Sequence, residues 1–155
     1  MKFKNPLLVV SDMERSIGFY RRVLGLRVIS DFGANKTLTG GVCLQTAESW
    51  PGLIGKAGEN LVYGGRTAEL YFEEHDFDAW IQRLEQLEDI CYVHPVVEHR
   101  WGQRAVRIYD PDRNIIEVGE SLNSVACRFA QQGMTTAQIA ARMDVPEAFV
   151  HKLLK

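Results

Sequence analysis

The apolar positions of this chain change period twice in the same order. NPLLVV, residues 5–10, is a short apolar run of strand length. Beyond it Met13, Ile17, Tyr20 and Leu24 recur at helical spacing, and Gly25 ends the segment. Ser11 followed three residues on by Glu14 has the form of a capping box, so the helix is expected to open at Ser11. Strand-like stretches follow at 26–32, 36–39 and 41–46. After a long connection, 47–65, the order repeats. TAELYFEE reads as a strand, and Asp76 or Asp78 opens a helix with Phe77, Ile81, Leu84 and Leu87 on one face. Three more strands are expected at 91–97, 104–109 and 114–119. The chain therefore spells βαβββ twice, over residues 5–46 and 68–119, and a duplicated module predicts two equivalent sheets around a common cavity. The connection holds Pro51, Gly52, Gly55, Gly58, Gly64 and Gly65, and loops of that length in compact domains are more often functional than decorative.

Side-chain parity then divides each strand. Pro6, Leu8 and Val10 go to the helix side of the first strand, which leaves Asn5, Leu7 and Val9 on the other. The same alternation separates Gln45 and Cys43 from Val42 and Leu44, and Glu69 and Tyr71 from Leu70 and Phe72. In RAVRIYDPDRNIIEVGE, Glu117 lies opposite in parity to Ile116 and Val118. Arg107 and Tyr109 share its face if their strand alternates regularly. One face thus collects Asn5, Gln45, Glu69 and Glu117, two from each half. A mid-strand carboxylate is costly to bury without a cation or a proton, so this face is the candidate small-molecule site.

Composition narrows the class without naming a chemistry. At 155 residues, with 46% apolar and 25% charged residues, the chain has the make-up of one soluble globular protein. Its net charge of -2 gives no general attraction to nucleic acid or membranes. Cys43, Cys91 and Cys127 are scattered without metal-ligand spacing and imply no disulfide framework, which points to the cytoplasm. The apolar run at the N-terminus is too short for a signal peptide or a membrane span.

Three stretches together, LLVVSDMERSIGFYRRVLGL, TAELYFEEHDFDAW and WGQRAVRIYDPDRNIIEV, resemble the vicinal oxygen chelate superfamily. That group includes glyoxalase I, extradiol dioxygenases and bleomycin-resistance proteins. The resemblance spans about residues 3–120 and implies an α+β fold: paired βαβββ modules forming a cup-shaped, partly open mixed barrel in a homodimer that binds a small molecule. Metal ligands in the group come from the first, fifth and eighth strands, and sometimes the fourth. Glu117 matches that pattern, and Glu69 matches it as a carboxylate in place of the commoner His. Asn5 and Gln45 depart from it, standing where metal-binding members have His and Glu. With no histidine left in the set, an extradiol dioxygenase iron site is rejected, and Mg or Mn is expected ahead of Zn, Ni or Fe if any metal binds.

Glu69 and Glu117 therefore keep three readings open. They serve a lyase- or isomerase-type enzyme akin to lactoylglutathione lyase, with or without a divalent ion. They line a metal-free sequestering or resistance protein. Or they are relics paired with Arg107 as a structural ion pair. Trp101 and Arg104, in WGQR, are expected at the rim, stacking on and pairing with a ligand. Trp50 and Tyr63 flank the glycine-rich connection as a possible aromatic lid. His75 and His94 read as surface histidines, and His99 as a marginal pocket residue. In the DPDRN turn Arg113 stands where the resemblance leads one to expect Gly, with Asn114 available for a left-handed conformation.

Residues 121–155 lie outside the resemblance and read as a helical extension. SVACRFAQQG is a helix ended by Gly133, and TTAQIAARMDVPEAFVHKLL is two short helices broken at Asp144–Pro146. Ile139, Ala140, Val145, Phe149, Val150 and Leu153 are spaced like the core of a helix-turn-helix. A ligand-sensing regulator is the corresponding third function. Only His151 and Lys152 offer cationic contacts on the second helix, so a packing role is expected rather than DNA contact.

Overall fold

Strand β1 (Leu7–Val10) runs into helix α1 (Met13–Leu24) in this computed structural model, which describes residues 1–155. The helix opens at Asp12, one residue later than expected: its carboxylate accepts the Arg15 backbone N–H at 2.9 Å. Ser11 is free for another task and donates to Asp112 instead. Gly25 ends the helix in the left-handed conformation, φ 69°, donating to the carbonyl of Arg21. Strands β2 (Val28–Asp31), β3 (Asn35–Leu38) and β4 (Cys43–Thr46) complete a four-stranded sheet of order β1-β4-β3-β2, with β1 and β4 parallel. Asn5, expected in β1, lies just before it. The connection after β4 contains a short helix, α2 (Trp50–Leu53), that apolar periodicity could not show because it is a single turn.

The second module repeats the plan. Strand β5 (Glu69–Glu74), helix α3 (Phe77–Glu85), and strands β6 (Cys91–Glu98), β7 (Arg104–Tyr109) and β8 (Ile115–Glu120) give the order β5-β8-β7-β6, again with the first and last strands parallel. Asp76 caps α3. Phe77, Trp80 and Leu84 of the helix are buried, as are Val106, Ile108, Ile116 and Val118 on the even-numbered face of β7 and β8. The architecture is thus α+β, with two four-stranded mixed sheets and C-terminal helices.

The chain forms two compact units: residues 1–66 with the turn 110–114, and residues 67–109 with 115–155. In the first, the turn is anchored by Tyr20, fully buried, whose hydroxyl donates to Asp110 Oδ2 at 2.8 Å. Burial, with the Asp110 charge beside it, holds that phenol far above its ordinary range. Asp110 Oδ1 in turn accepts the backbone N–H groups of Asp112 and Asn114 at 2.9 and 2.8 Å. Arg113, and not Asn114, takes the left-handed conformation, φ 67°. The Asn114 side-chain amide donates to Asp110 Oδ2 at 2.8 Å.

In the second unit, helices α4 (Leu122–Gln131), α5 (Thr136–Met143) and α6 (Glu147–Leu153) bury Val125, Ala126, Phe129, Ile139, Ala140, Met143 and Val150 against one another. Thr135 and Gln138 form a full capping box at α5. The break between α5 and α6 turns on Asp144 in the left-handed conformation, φ 59°, where a glycine would carry less strain. Arg128 of α4 pairs with Glu120 at 2.9 Å, and Ser124 donates to the His75 carbonyl, so the extension is fastened to the second sheet.

Candidate functional site

Strand register lines up four side chains across the second sheet. Tyr71 of β5 pairs with Glu117 of β8, Glu117 with Arg107 of β7, and Arg107 with His94 of β6. Directly paired residues share a face, so these four form one row on the side opposite the Ile116–Val118 core. The last member is the unexpected one. Simple alternation groups His94 with Tyr92, which pairs with Ile108 on the packed face. A bulge between Tyr92 and His94 shifts the register and brings His94 opposite Arg107.

Arg107 is the hub of the row. Its Nε donates to Glu69 Oε2 at 2.8 Å, and Nη2 pairs with Glu117 Oε2. That carboxylate is only 6% exposed, and its Oε2 accepts no well-directed hydrogen bond, so the pairing there is one of charge and contact. Nη1 lies 3.2 Å from His94 Nε2. Nδ1 of the same ring lies 2.7 Å from the Pro95 carbonyl. Both glutamates are thus ion-paired with Arg107.

Around the hub stands an aromatic wall. His99 and Trp101 stack with ring centroids 4.4 Å apart and planes 14° from parallel. The Trp101 indole donates to Gln103 Oε1 at 3.1 Å, and Gln103 Nε2 donates to the Tyr71 hydroxyl and to the Glu120 carbonyl, both at 2.8 Å. Gln103, nearly fully buried, thus ties Trp101 to Tyr71. A side chain on Gly119 would come within 2.9 Å of the Gln103 amide and 3.2 Å of the Tyr71 ring. Sequence reading passed over Gln103, although a glycine inside a strand was a usable signal of such close approach. Burial, followed by the charges of Arg107 and His94, holds the His99 ring below the ordinary histidine range.

Other expected site residues lie elsewhere. Arg104 is on the opposite face from Arg107: it pairs with Asp78 at 2.7 Å and Glu120 at 3.1 Å and lies over the Phe77 ring. It is a structural ion-pair residue, three positions and hence one face away from the hub. Tyr109 does share the Arg107 parity, opposite Ile115 and Cys91. Asn5 and Gln45 belong to the first unit, and each is engaged there. Asn5 Nδ2 donates to the Gly41 carbonyl at 2.6 Å. The Gln45 amide accepts from Asn35 at 2.9 Å and donates to Ser49 at 2.6 Å. Trp50 sits in α2, while Tyr63 lies in the irregular stretch after it.

The divalent ion that the resemblance implies does not fit these side chains as they stand. Both carboxylates and the one nearby imidazole already face a guanidinium cation, and no group of three His, Cys, Asp or Glu side chains is placed to hold a metal ion. A second cation could enter only against that charge.

Comparison with known proteins agrees with the fold. A glyoxalase-like domain model matches residues 3–123. The chain belongs to the glyoxalase-like family. It is 40% identical to an Agrobacterium tumefaciens str. C58 protein of unknown function, whose crystal structure matches with a TM-score of 0.72 over 79% of this chain and 95% of that one. A lactoylglutathione lyase from Agrobacterium tumefaciens is 25% identical, with a TM-score of 0.60 over 77% of this chain and 93% of that one. The uncharacterised protein YraH of Bacillus subtilis (strain 168) is 26% identical over 79% of this chain and the whole of its own length. The family match ends at residue 123, just inside α4.

Proposed function

We propose that this glyoxalase-like protein binds a small molecule without a metal ion, on the Tyr71–Glu117–Arg107–His94 face of its second sheet. The observation that carries the reading is the Arg107 guanidinium, which contacts Glu69, Glu117 and His94 together and so supplies the positive charge that a divalent ion would otherwise bring. Tyr71, Trp101 and His99 add aromatic surface beside it, and apolar surface with a few fixed polar groups is the usual composition of a ligand site. Support for a homodimer and a cytoplasmic setting comes from the family resemblance and the free cysteines, together with the lack of any helix long and apolar enough to cross a membrane.

A lyase or isomerase acting without metal is the second reading. It is favoured by Glu69, which stands on the edge strand β5 with its side chain 36% exposed and within reach of a ligand as a base. DNA contact through α5 and α6 has little support, since the first turn of α6 presents Glu147 and only His151 and Lys152 follow it.

A thermal-shift and calorimetric screen of aromatic compounds and glutathione thioesters, run in EDTA, tests the proposal. The expected result is a ligand whose binding is unchanged by EDTA and weakened by Trp101→Ala or Tyr71→Ala. A ligand occupying the site at a hundred times its Kd stabilises by about 2.7 kcal/mol, which a melt resolves. Binding that appears only on addition of a divalent ion would overturn it. Turnover lost in Glu69→Gln with ligand affinity retained would favour the catalytic reading.

A further inference from the structure

On the face that carries Arg107, the hydrogen-bond donors are spent within the protein, while acceptors and negative charge are left over. We infer that the ligand of this face is a planar aromatic cation that donates hydrogen bonds, of the amidine, guanidine or protonated heteroaromatic amine class. It lies against Tyr71 and Trp101 with its N–H groups on Glu69 and Glu73. The inference rests on the metal-free reading proposed above and names its ligand class.

The donors can be followed one by one. An indole nitrogen only donates and a backbone carbonyl only accepts, so Trp101 and Glu120 together fix the orientation of the buried Gln103 amide. Its Oε1 receives the indole N–H, and its Nε2 gives one hydrogen to the Glu120 carbonyl and the other to the Tyr71 oxygen. The Tyr71 hydroxyl, accepting from Gln103, sends its own hydrogen to Glu73 Oε1 at 3.0 Å. Each nitrogen of Arg107 also faces a protein partner: Nε and Nη2 the two glutamates, Nη1 the His94 ring. A carboxylate has about four lone-pair sites, so Glu69 and Glu73 keep acceptor capacity toward solvent.

Charge points the same way. Glu69, Tyr71 and Glu73 alternate along the edge strand β5 on its exposed side, and Tyr71 is 48% exposed. Residues two apart on a strand are separated by roughly 7 Å, so a ring placed on Tyr71 has a carboxylate on either side. Arg107 is shared between Glu69 and Glu117, while Glu73 is hydrogen-bonded to Tyr71 and paired with no cation. Acidic residues also outnumber basic ones across this unit. A cationic ring gains from the aromatic faces and from the carboxylates together. An anionic ring of the same shape meets like charge and finds the donors engaged. The ligand cation sits at the outer oxygens of Glu69 and Glu73, apart from the position between Glu69 and Glu117 that Arg107 fills.

Benzamidine, benzamide and benzoate serve as probes: one ring, with a cationic donor, a neutral or an anionic substituent. Each is titrated into the full chain in EDTA, following the Trp101 indole and histidine ring resonances by NMR. Benzamidine should saturate and bind roughly tenfold more tightly than benzamide, because charge-assisted hydrogen bonds are about twice as strong as neutral ones. Benzoate should bind more weakly than either. Glu73→Gln, at an exposed position, and Glu69→Gln should each reduce the preference for benzamidine over benzamide and leave benzamide affinity unchanged, which also reports that the variants are folded. Failure of benzamidine to saturate, benzamide or benzoate binding as tightly, or a preference that survives both substitutions overturns the inference and leaves the metal-free reading standing. Binding of the probes that appears only with a divalent ion, or that ignores both Trp101→Ala and Tyr71→Ala, would instead overturn the reading on which the inference rests.

Discussion

The ring of Phe129 lies so close to the backbone of Gly102 that a Cβ built on the glycine would stand 2.2 Å from Cζ. Gly102 also has φ 86°, a conformation that an L side chain adopts only with strain. On the same residue the Gly102 carbonyl accepts from Arg128 Nη2 at 2.6 Å. Helix α4 is thus the support on which the β6–β7 hairpin rests, and that hairpin carries His99, Trp101 and Gln103.

Gly102→Ala tests this joint. Left-handed strain of about 1–2 kcal/mol and overpacking of about 1–3 kcal/mol both act, so a loss of about 2–5 kcal/mol is expected. Urea unfolding followed by tryptophan fluorescence measures it. Phe129→Ala costs about 3–5 kcal/mol by itself, and in its background the further cost of Gly102→Ala should be smaller than in wild type, because the clash is gone and only the strain remains.

Glu120 joins three parts of the second unit, accepting from Arg104 and from Arg128 while its backbone carbonyl accepts from Gln103. Burial alone would raise its carboxyl; hydrogen bonds from Arg128 and Arg104 outweigh it, and the group sits below its ordinary value of 4.5. A carboxyl depressed on folding stabilises the protein above its unfolded pKa and loses that contribution as pH falls through the lower folded value. Stability should therefore decline in acid below about pH 4.5. Glu120→Gln should flatten that decline and cost about 2–3 kcal/mol at neutral pH, less than a fully buried pair because both arginines keep a quarter of their side chains exposed. Urea midpoints of the two proteins between pH 3 and 7 provide the check.

Arg113 makes the opposite prediction. It holds a left-handed conformation, φ 67°, in the turn anchored by Asp110. Glycine there relieves about 1–2 kcal/mol of strain and adds about 0.5–1 kcal/mol of chain entropy cost. Arg113→Gly should raise stability by about 0.5–1 kcal/mol, read as a higher urea midpoint with an unchanged slope. An unchanged or lowered midpoint would show that contacts of the arginine side chain outweigh the strain.

The duplicated βαβββ order and the parity of Glu69, Tyr71, Arg107 and Glu117 were legible because both depend on local periodicity, which a single chain displays. What escaped was each feature created by a break in that periodicity or by distant partners. His94 changes face at a bulge, and no composition rule marks where an edge strand will bulge. Arg104 looked like a rim residue because it adjoins Trp101 in sequence, whereas its partners Asp78 and Glu120 are set by tertiary packing. Asn5 read as a strand residue facing the site, but a backbone carbonyl 36 residues away, at Gly41, takes its amide. Arg107 was visible as a pairing option for the glutamates; that it joins three groups at once depends on register.

His99 offers a check on that register in solution. Its ring is held below the ordinary histidine value of 6.5, first by burial, then by the positive charges of Arg107 and His94, with Glu69 acting in the other direction. For a base depressed on folding, the unfolded chain takes up the proton first as pH falls. The folded state is then favoured fully above the unfolded pKa and loses ground as pH drops from about 6.5 toward the lower folded value. The ring is only partly buried, so the energetic effect is small and the direct measurement is better. Histidine ring resonances followed by NMR should show His99 titrating below 6.5 in the native protein and moving up to that range in urea. Trp101→Ala removes the stacked surface and should raise the native value more than Arg107→Met does, because burial is the larger cause. A larger shift in Arg107→Met than in Trp101→Ala would mean that charge from Arg107, and not the Trp101 stack, controls the ring.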